Sequence, residues 1–155
     1  DVVNIPLIAA GGISSGKSML AAMILGADGV QIGSRFAASY ESSAHEKFKQ
    51  EIINANEGDT ELTLKELTPV RMMKNNFYNK IQDAYANNAS TEQLSNLLGR
   101  GRAKKGMFEG DLHNGELEIG QISAIINNIQ PVSEIMSNIT EEYKLILSKL
   151  KSYQL

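Results

Sequence analysis

The fold is decided by two short apolar runs that end in glycine: Ile5-Pro6-Leu7-Ile8-Ala9-Ala10-Gly11-Gly12, and then Gly29-Val30-Gln31-Ile32-Gly33-Ser34. Each run predicts a buried strand, over residues 5–10 and 29–32, because a short apolar run bounded by turn residues is typical of strands covered on both faces. Between them, Ser18 to Leu25 is rich in Met, Leu and Ala and predicts a helix. Two βα units joined this tightly predict parallel, neighbouring strands.

The first glycine loop also fits a pattern for nucleotide binding. Residues 11–18 read Gly-Gly-Ile-Ser-Ser-Gly-Lys-Ser, which matches the P-loop pattern G-x-x-x-x-G-K-[ST]. A P-loop protein also needs a second strand ending in Asp to help hold Mg²⁺, and here Asp28 precedes the second strand instead of following it. Lys17 is equally suited to a solvated position in the first turn of a helix. A P-loop nucleotide-binding protein is therefore an alternative and not the preferred interpretation.

Taken together, the two glycine loops predict a different phosphate site. In a (β/α)₈ barrel, the loops after the last two strands commonly bind a phosphate group. Glycine lets backbone N–H groups approach the phosphate oxygens, and the Ser34 hydroxyl can add a further donor. Arg35 either contributes charge or faces solvent. The candidate cofactor-binding residues are Gly11, Gly12, Gln31, Ile32, Gly33 and Ser34.

Residues 5–13 and 25–36 resemble the C-terminal part of the nitronate monooxygenase family, once called 2-nitropropane dioxygenases, which includes the FMN-dependent enoyl-ACP reductases. A Gly-Gly pair followed by a Gln-x-Gly-Ser/Thr loop also occurs in other FMN barrels and in inosine monophosphate dehydrogenase, so later segments narrow the resemblance. These are Glu41 to His45, Gly58-Asp59-Thr60, Pro69-Val70-Arg71, Lys74-Asn75, Gly110-Asp111, Gly115 and Gly120-Gln121. The resemblance covers nearly the whole chain. Two departures are Ser34, where Thr is usual, and Ser123-Ala124, which replaces a common Ala-Gly.

The resemblance implies an α/β fold that forms the C-terminal part of a TIM (β/α)₈ barrel. Residues 1–40 would form its last two βα units, and residues 41–155 a mainly helical C-terminal extension packing on the barrel. The implied cofactor is FMN, with NAD(P)H as an optional cosubstrate. The implied activity is oxidation of alkyl nitronates with O₂ by a nitronate monooxygenase. The alternatives are an enoyl-ACP reductase acting on an enoyl thioester and an inactive fragment. The family's catalytic base is expected upstream of this chain, so no catalytic residue is assigned.

Length and composition narrow the class further. The 155 residues are fewer than the roughly 250 of a complete barrel, and the chain begins with Asp1 instead of methionine, so we expect the C-terminal portion of a longer protein. The formal net charge of -3 argues against nucleic acid as a partner. No apolar run approaches the length of a membrane span, and the lack of cysteine fits a cytoplasmic protein. The sequence leaves a homodimer open.

Further helices are predicted over residues 44–55, 70–86, 120–129 and 132–153, and one more begins after a cap at Ser90 or Thr91. Residues 61–67 predict either a short strand or an extended loop.

Few other residues suggest chemistry. His45 is expected on the surface at a helix start, and His113 in a turn. Asp59 and Asp111 are predicted to form turns, and no carboxylate–histidine cluster has the spacing of a metal site. The basic cluster between Arg100 and Lys105 either steers an anionic cosubstrate such as NAD(P)H or acyl carrier protein, or is a solvated loop. Gly120-Gln121 either approaches the active-site mouth or caps a helix.

Overall fold

The two predicted βα units are present at the start of the chain. The computed structural model describes residues 3–152. Its first elements are β1 (Ile8–Ala10), α1 (Gly16–Ile24), β2 (Gly29–Gln31) and α2 (Ser34–Ala37). Strands β1 and β2 pair in parallel, with Ala10 opposite Gln31. The predicted order and direction are confirmed, although both strands are shorter than predicted, since residues 5–7 and Ile32 lie outside them.

The first βα unit carries an uncovered apolar surface. Ile5 is 72% exposed, Ile24 66% and Leu25 88%. Two parallel strands leave free edges, and in a closed barrel the neighbouring βα units cover such edges and faces. The unit therefore has the character of the C-terminal part of a (β/α)₈ barrel, the fold class predicted from the sequence.

The rest of the described chain is mixed. It comprises α3 (Glu46–Asn54), β3 (Thr60–Thr63), β4 (Val70–Met73), α4 (Asn76–Ala86), α5 (Thr91–Leu98), a π-helical turn (Lys104–Phe108), a 3₁₀ turn (Gln121–Ile125) and α6 (Val132–Ser152). The helices predicted over residues 44–55, after Ser90 and from Val132 are confirmed with shorter ends, and residue 153 lies outside the described residues. The helix predicted over 120–129 is wrong beyond its short 3₁₀ turn. The domain division at residue 40 stays a prediction.

The helix predicted over residues 70–86 is wrong in its first residues. Val70 to Met73 form β4, which pairs antiparallel with β3. On its other side, the backbone N–H of Met73 donates to the Leu117 carbonyl at 3.0 Å, so β4 is hydrogen-bonded on both sides. Asn75 marks the true start of the helix, because its side chain accepts a hydrogen bond from the Tyr78 N–H and caps α4; the prediction from the sequence did not use this cap.

Strand β4 separates two hydrophobic clusters, because successive side chains of a strand point to opposite faces. Met73 packs with Phe48 and Ile52 of α3, whereas Met72 packs with Phe77 and Ile81 of α4. The hairpin is thus held from both sides, which fixes its position against the βα units.

Helix α6 packs directly on the start of α1. A side-chain carbon added at Gly16 would lie 2.3 Å from the Tyr143 backbone nitrogen and 2.4 Å from the Ile139 carbonyl oxygen. Only glycine permits so close an approach of two helices. Within residues 3–152 no helix is both long and apolar enough to cross a membrane.

Candidate functional site

The predicted phosphate-binding residues lie together at the carboxyl ends of β1 and β2. Because Ala10 pairs with Gln31, the loop that begins at Gly11 runs beside the loop that contains Gly33. Gly11 and Gly12 have φ values of 87° and 72°, a left-handed conformation that strongly favours glycine. The two loops therefore lie side by side, and the surface they form is here called the glycine edge; that it binds a phosphate stays a prediction.

This edge offers unpaired backbone donors and space in front of them. The N–H groups of Gly12, Gly33 and Ser34 make no hydrogen bond with any residue in the described range 3–152. A side-chain carbon added at Gly11, Gly12 or Gly33 would meet no atom within 4 Å. Open space beside backbone N–H groups is what an oxygen-rich anion requires. The residues present therefore fit the phosphate group of a bound cofactor.

Ser34 connects this edge to a distant part of the chain. Its hydroxyl oxygen accepts a hydrogen bond from the Gly120 N–H at 3.1 Å, which leaves the hydroxyl hydrogen available for another acceptor. A side-chain carbon at Gly120 would lie 2.9 Å from that oxygen. Gly120 is also the N-cap residue of the 3₁₀ turn Gln121–Ile125, so the capping role expected for Gly120-Gln121 is observed, and a position at the active-site mouth stays a prediction.

Arg35 contributes to structure and does not face solvent. It is 8% exposed, and its guanidinium donates to the Asn128 carbonyl at 3.1 Å and the Asn128 side-chain oxygen at 2.9 Å, as well as to the Gln130 side chain. Burial lowers the pKa of Arg35, and the charge of nearby Glu134 opposes that shift. Because its donors are engaged by the 128–130 segment, Arg35 anchors α2 to the start of α6.

The geometry opposes the P-loop alternative. The Lys17 backbone N–H donates to the Glu142 carboxylate at 3.2 Å, and the Lys17 ammonium lies 3.8 Å from the same carboxylate. The Ser18 N–H is taken by the Ser15 hydroxyl in a capping box. The Lys17 and Ser18 donors that a P-loop presents to phosphates are thus engaged within the chain, and α6 packs on the helix start at Gly16.

Two clefts that the sequence did not predict meet at Arg71, and the first of them adjoins the glycine edge. The first, here called the Ser34 cleft, has a volume of about 470 Å³ and is lined by Gly33, Ser34, Val70, Arg71, Glu118 and Gly120 among others. The second, here called the Gln121 cleft, has a volume of about 640 Å³ and lies between residues 57–60 and residues 121–125. Arg71 lines both clefts. In the sequence, Arg71 is marked only by the family resemblance of the segment Pro69-Val70-Arg71.

The two histidines take part in local hydrogen bonds at a helix start and in a turn. The His45 Nδ1 atom accepts a hydrogen bond from the Lys47 N–H at 3.1 Å and caps α3. The His113 carbonyl accepts from the Phe77 N–H at 3.2 Å, and its side chain is exposed in a turn. Neither residue lines the Ser34 cleft or the Gln121 cleft.

The two aspartates also hold turns. The Asp59 carboxylate accepts from the Asn56 N–H at 2.7 Å. The Asp111 carboxylate accepts from the N–H groups of His113 and Asn114, at 3.1 Å and 2.9 Å. Its bond from Asn114, helped by Lys105, lowers the pKa of Asp111 to about 2. Both carboxylates are therefore occupied by their own turns.

Within the basic cluster of residues 100–105, the central arginine is structural. The Arg102 guanidinium donates to the carbonyls of Leu97, Leu98 and Asn114 and stacks on the Phe77 ring at 4.3 Å. The neighbouring lysines form ion pairs, Lys104 with Glu109 and Lys105 with Asp111. Arg100 is exposed, so it is the member of the cluster that best fits a solvated loop.

One buried acid was not predicted. Glu116 is 6% exposed, and burial raises its pKa to about 7, with a further contribution from the charge of Glu118 and an opposing one from Arg102. Its backbone N–H donates to the Arg102 carbonyl at 3.1 Å. Glu116 lines neither cleft, so we treat it as part of the packing around the 102–117 segment.

A family model and curated relatives both relate this chain to nitronate monooxygenases. The family model described as nitronate monooxygenase matches residues 1–142. Probable nitronate monooxygenases from several strains of Staphylococcus aureus are 35% identical over 147 residues, which is 95% of this chain and 41% of each relative. The chain therefore spans about two fifths of the length of these curated relatives.

Solved structures agree in fold. FabK from Thermotoga maritima has 39% sequence identity and a TM-score of 0.88, and the match covers 98% of this chain and 48% of that one. A nitroalkane oxidase from Streptomyces ansochromogenes has 27% identity and a TM-score of 0.72, covering 96% of this chain and 42% of that one. An enoyl reductase domain of MlnA from Bacillus amyloliquefaciens shares the fold alone, at 16% identity and a TM-score of 0.72, with 96% of this chain and 50% of that one covered.

Proposed function

The chain belongs to the nitronate monooxygenase family, and from this premise we propose that the complete protein is an FMN-dependent oxidoreductase whose flavin phosphate is held by the two glycine loops. The observation that carries the proposal is the set of unpaired N–H groups at Gly12, Gly33 and Ser34, which face open space at the carboxyl ends of two parallel strands. Ligands of open α/β and barrel folds bind at this end of the strands.

In this proposal the chain binds and orients the cofactor. The N–H groups of Gly12, Gly33 and Ser34 donate to phosphate oxygens, and the Ser34 hydroxyl donates a further hydrogen bond while it accepts one from Gly120. Gly11 gives the loop its turn, and Gln31 and Ile32 bring the second loop beside it. When bound, FMN supplies the redox chemistry, and the protein fixes its position relative to the substrate.

The reaction we propose first is the oxidation of an alkyl nitronate with O₂. The family membership and the similarity to a nitroalkane oxidase support it. Within the described residues, neither histidine lines the Ser34 cleft or the Gln121 cleft. We therefore propose that this chain supplies phosphate binding and one wall of the site, while the catalytic base comes from another part of the barrel.

A second candidate is the reduction of an enoyl thioester by NAD(P)H. The similarity to FabK supports it, because that protein combines the highest identity and TM-score among the solved structures compared above.

The experiment that tests the proposal uses the complete purified protein, first for flavin content and then in two assays. Oxygen uptake with an alkyl nitronate, without NAD(P)H, supports nitronate oxidation. Oxidation of NADH or NADPH that depends on crotonyl-CoA supports enoyl reduction. A protein that contains no flavin and binds ATP with Mg²⁺ contradicts both candidates.

A further inference from the structure

Arg71 has a guanidinium that is only partly engaged. Its Nη1 atom donates to the Thr60 carbonyl at 3.0 Å and the Thr60 hydroxyl at 3.2 Å. Among residues 3–152, its Nε and Nη2 atoms have no hydrogen-bond acceptor and no carboxylate forms an ion pair with it, although the Arg71 charge is near enough to help lower the pKa of Glu61. Since a guanidinium carries five N–H donors, three of them remain for a ligand.

The position of Arg71 is fixed relative to the glycine edge. Its carbonyl accepts a hydrogen bond from the Ile119 N–H at 3.1 Å, and the next residue, Gly120, donates to the Ser34 hydroxyl. The Thr60 contacts hold the side chain from the other strand of the hairpin. The charge is therefore held at a defined distance from the proposed phosphate loops, and little side-chain entropy is lost when it binds a ligand.

Arg71 stands at the boundary between two spaces. It lines the Ser34 cleft together with Gly33 and Ser34, and the Gln121 cleft together with Gln121 and Ile125. Ile125 is 66% exposed, so the second cleft combines an apolar wall with a cationic border. This combination suits an extended ligand that has both an apolar part and an anionic group.

We propose that Arg71 binds a phosphate group of an extended cosubstrate that lies in the Gln121 cleft and reaches the flavin through the Ser34 cleft. A guanidinium binds phosphate oxygens in a bidentate manner, which gives both strength and orientation. The ligand chemistry is a phosphate ester, carried either by a pyridine dinucleotide or by a phosphopantetheine thioester. The inference rests on the proposed function and goes beyond it by naming the residue that selects a phosphorylated cosubstrate.

Glu57 also lines the Gln121 cleft, and its negative charge opposes an anion there. This residue gives an independent test, because its removal changes the potential in the cleft without touching Arg71. If a phosphate lies in the cleft, Glu57→Gln strengthens its binding, whereas Arg71→Gln weakens it. A general loss of structure would weaken phosphate binding in both variants, so an increase in Glu57→Gln together with a decrease in Arg71→Gln points to the charge in the cleft.

The experiment is isothermal titration of the complete, flavin-loaded protein with four probes: NAD⁺, nicotinamide riboside, phosphopantetheine and pantetheine. We expect Arg71→Gln to weaken at least one phosphate-bearing probe about tenfold or more, as the loss of a charge-assisted bidentate contact implies. Its phosphate-free counterpart should bind as it does to the unmodified protein. The probe that responds identifies the source of the phosphate. Lys47→Gln, which removes an exposed charge on α3 away from both clefts, is the matched control and should change neither affinity.

The flavin content of each variant separates this inference from the proposed function. If the unmodified protein lacks flavin, the proposed function is wrong. If flavin is bound and Arg71→Gln leaves the affinities for NAD⁺ and phosphopantetheine unchanged, only the role of Arg71 is wrong. If neither phosphate probe binds to the flavin-loaded protein, the inference is also overturned. Should Arg71→Gln fail to fold, Glu57→Gln decides, and an unchanged affinity for both phosphate probes contradicts the inference.

Discussion

The Ser34 hydroxyl oxygen accepts a hydrogen bond from the Gly120 backbone N–H at 3.1 Å, across 86 positions of sequence. This bond joins the end of the second glycine loop to Gly120, which directly follows the residues 117–119 that pair with β4. It orients the hydroxyl, so the remaining hydrogen can be donated to a phosphate oxygen. The hydrogen bond therefore links the glycine edge to Gly120, which lines the Ser34 cleft, and through it to Gln121, which lines the Gln121 cleft.

Ser34→Ala in the complete protein should weaken FMN binding about five- to tenfold, since it removes one hydrogen bond worth about 1 kcal/mol. Ser34→Thr keeps the hydroxyl and should bind FMN nearly as well as the unmodified protein. Fluorescence titration of the flavin-free protein measures both. Ser43→Ala, at an exposed position, is the control. Equal affinity of Ser34→Ala and Ser34→Thr would show that the hydroxyl does not contact the phosphate.

Gly16→Ala should destabilise the protein by roughly 3 kcal/mol, because the added carbon would overlap the backbone of α6 at Tyr143. Thermal unfolding of the flavin-free protein measures this change. Gly33→Ala is the matched control, since a carbon there meets no atom within 4 Å and Gly33 has a negative φ of -103°. A melting temperature for Gly16→Ala equal to that of Gly33→Ala would mean that α1 and α6 do not pack as described.

Glu116 should make stability depend on pH. Burial raises its pKa to about 7 from an ordinary value of 4.5, so the folded protein holds this proton more tightly than the unfolded chain does. The resulting contribution to stability is fully present below about pH 4.5 and is lost as the pH rises through about 7. Glu116→Gln, which mimics the protonated acid, should therefore gain on the order of 2 kcal/mol relative to the unmodified protein at pH 8, and little at pH 4.5.

Urea unfolding of both proteins at pH 4.5 and pH 8 tests this expectation, with the exposed Glu141→Gln as control. The decisive quantity is the difference in unfolding free energy between variant and unmodified protein at each pH. The same difference at both values would show that Glu116 keeps an ordinary pKa in the folded state.

Residues 1–155 expressed alone should aggregate and bind FMN poorly. Ile5, Ile24 and Leu25 are mostly exposed, and the free edges of β1 and β2 add unpaired backbone groups. Size-exclusion chromatography with light scattering and an FMN titration measure both properties, with the complete protein as reference. A monodisperse monomer that binds FMN tightly and consumes oxygen with a nitronate would contradict this prediction.

The sequence predicted those parts of the molecule whose causes are local. The two strands and the glycine loops follow from apolar runs that end in Gly11 and Gly33, and the final helix follows from its apolar periodicity. The sequence also predicted that the two glycine loops lie side by side and that Gly11 and Gly12 form a turn, because positive φ is a property of glycine itself; phosphate binding there stays a prediction.

Long-range packing determines what the sequence did not predict. Met73 continues the helical spacing of Phe77 and Ile81, so the sequence pattern predicts helix where β4 lies, although pairing with Leu117 holds this segment extended. Arg35 has no sequence signal for burial, because its partner Asn128 is distant in the chain. The free donors of Arg71 depend on the same kind of contact, with the hairpin on one side and the Gly120 segment on the other.

The central claim is that the loops of Gly12 and Gly33, and not the P-loop-like lysine, hold the phosphate of FMN. The most direct measurement is the flavin content of two variants of the complete protein, Gly33→Val and Lys17→Ala, purified in parallel. Gly33→Val fills the open space before the unpaired N–H groups and should lose most of its flavin, whereas Lys17→Ala loses only an exposed ion pair with Glu142 and should keep it. Full flavin in Gly33→Val, or a larger loss in Lys17→Ala, would contradict the account.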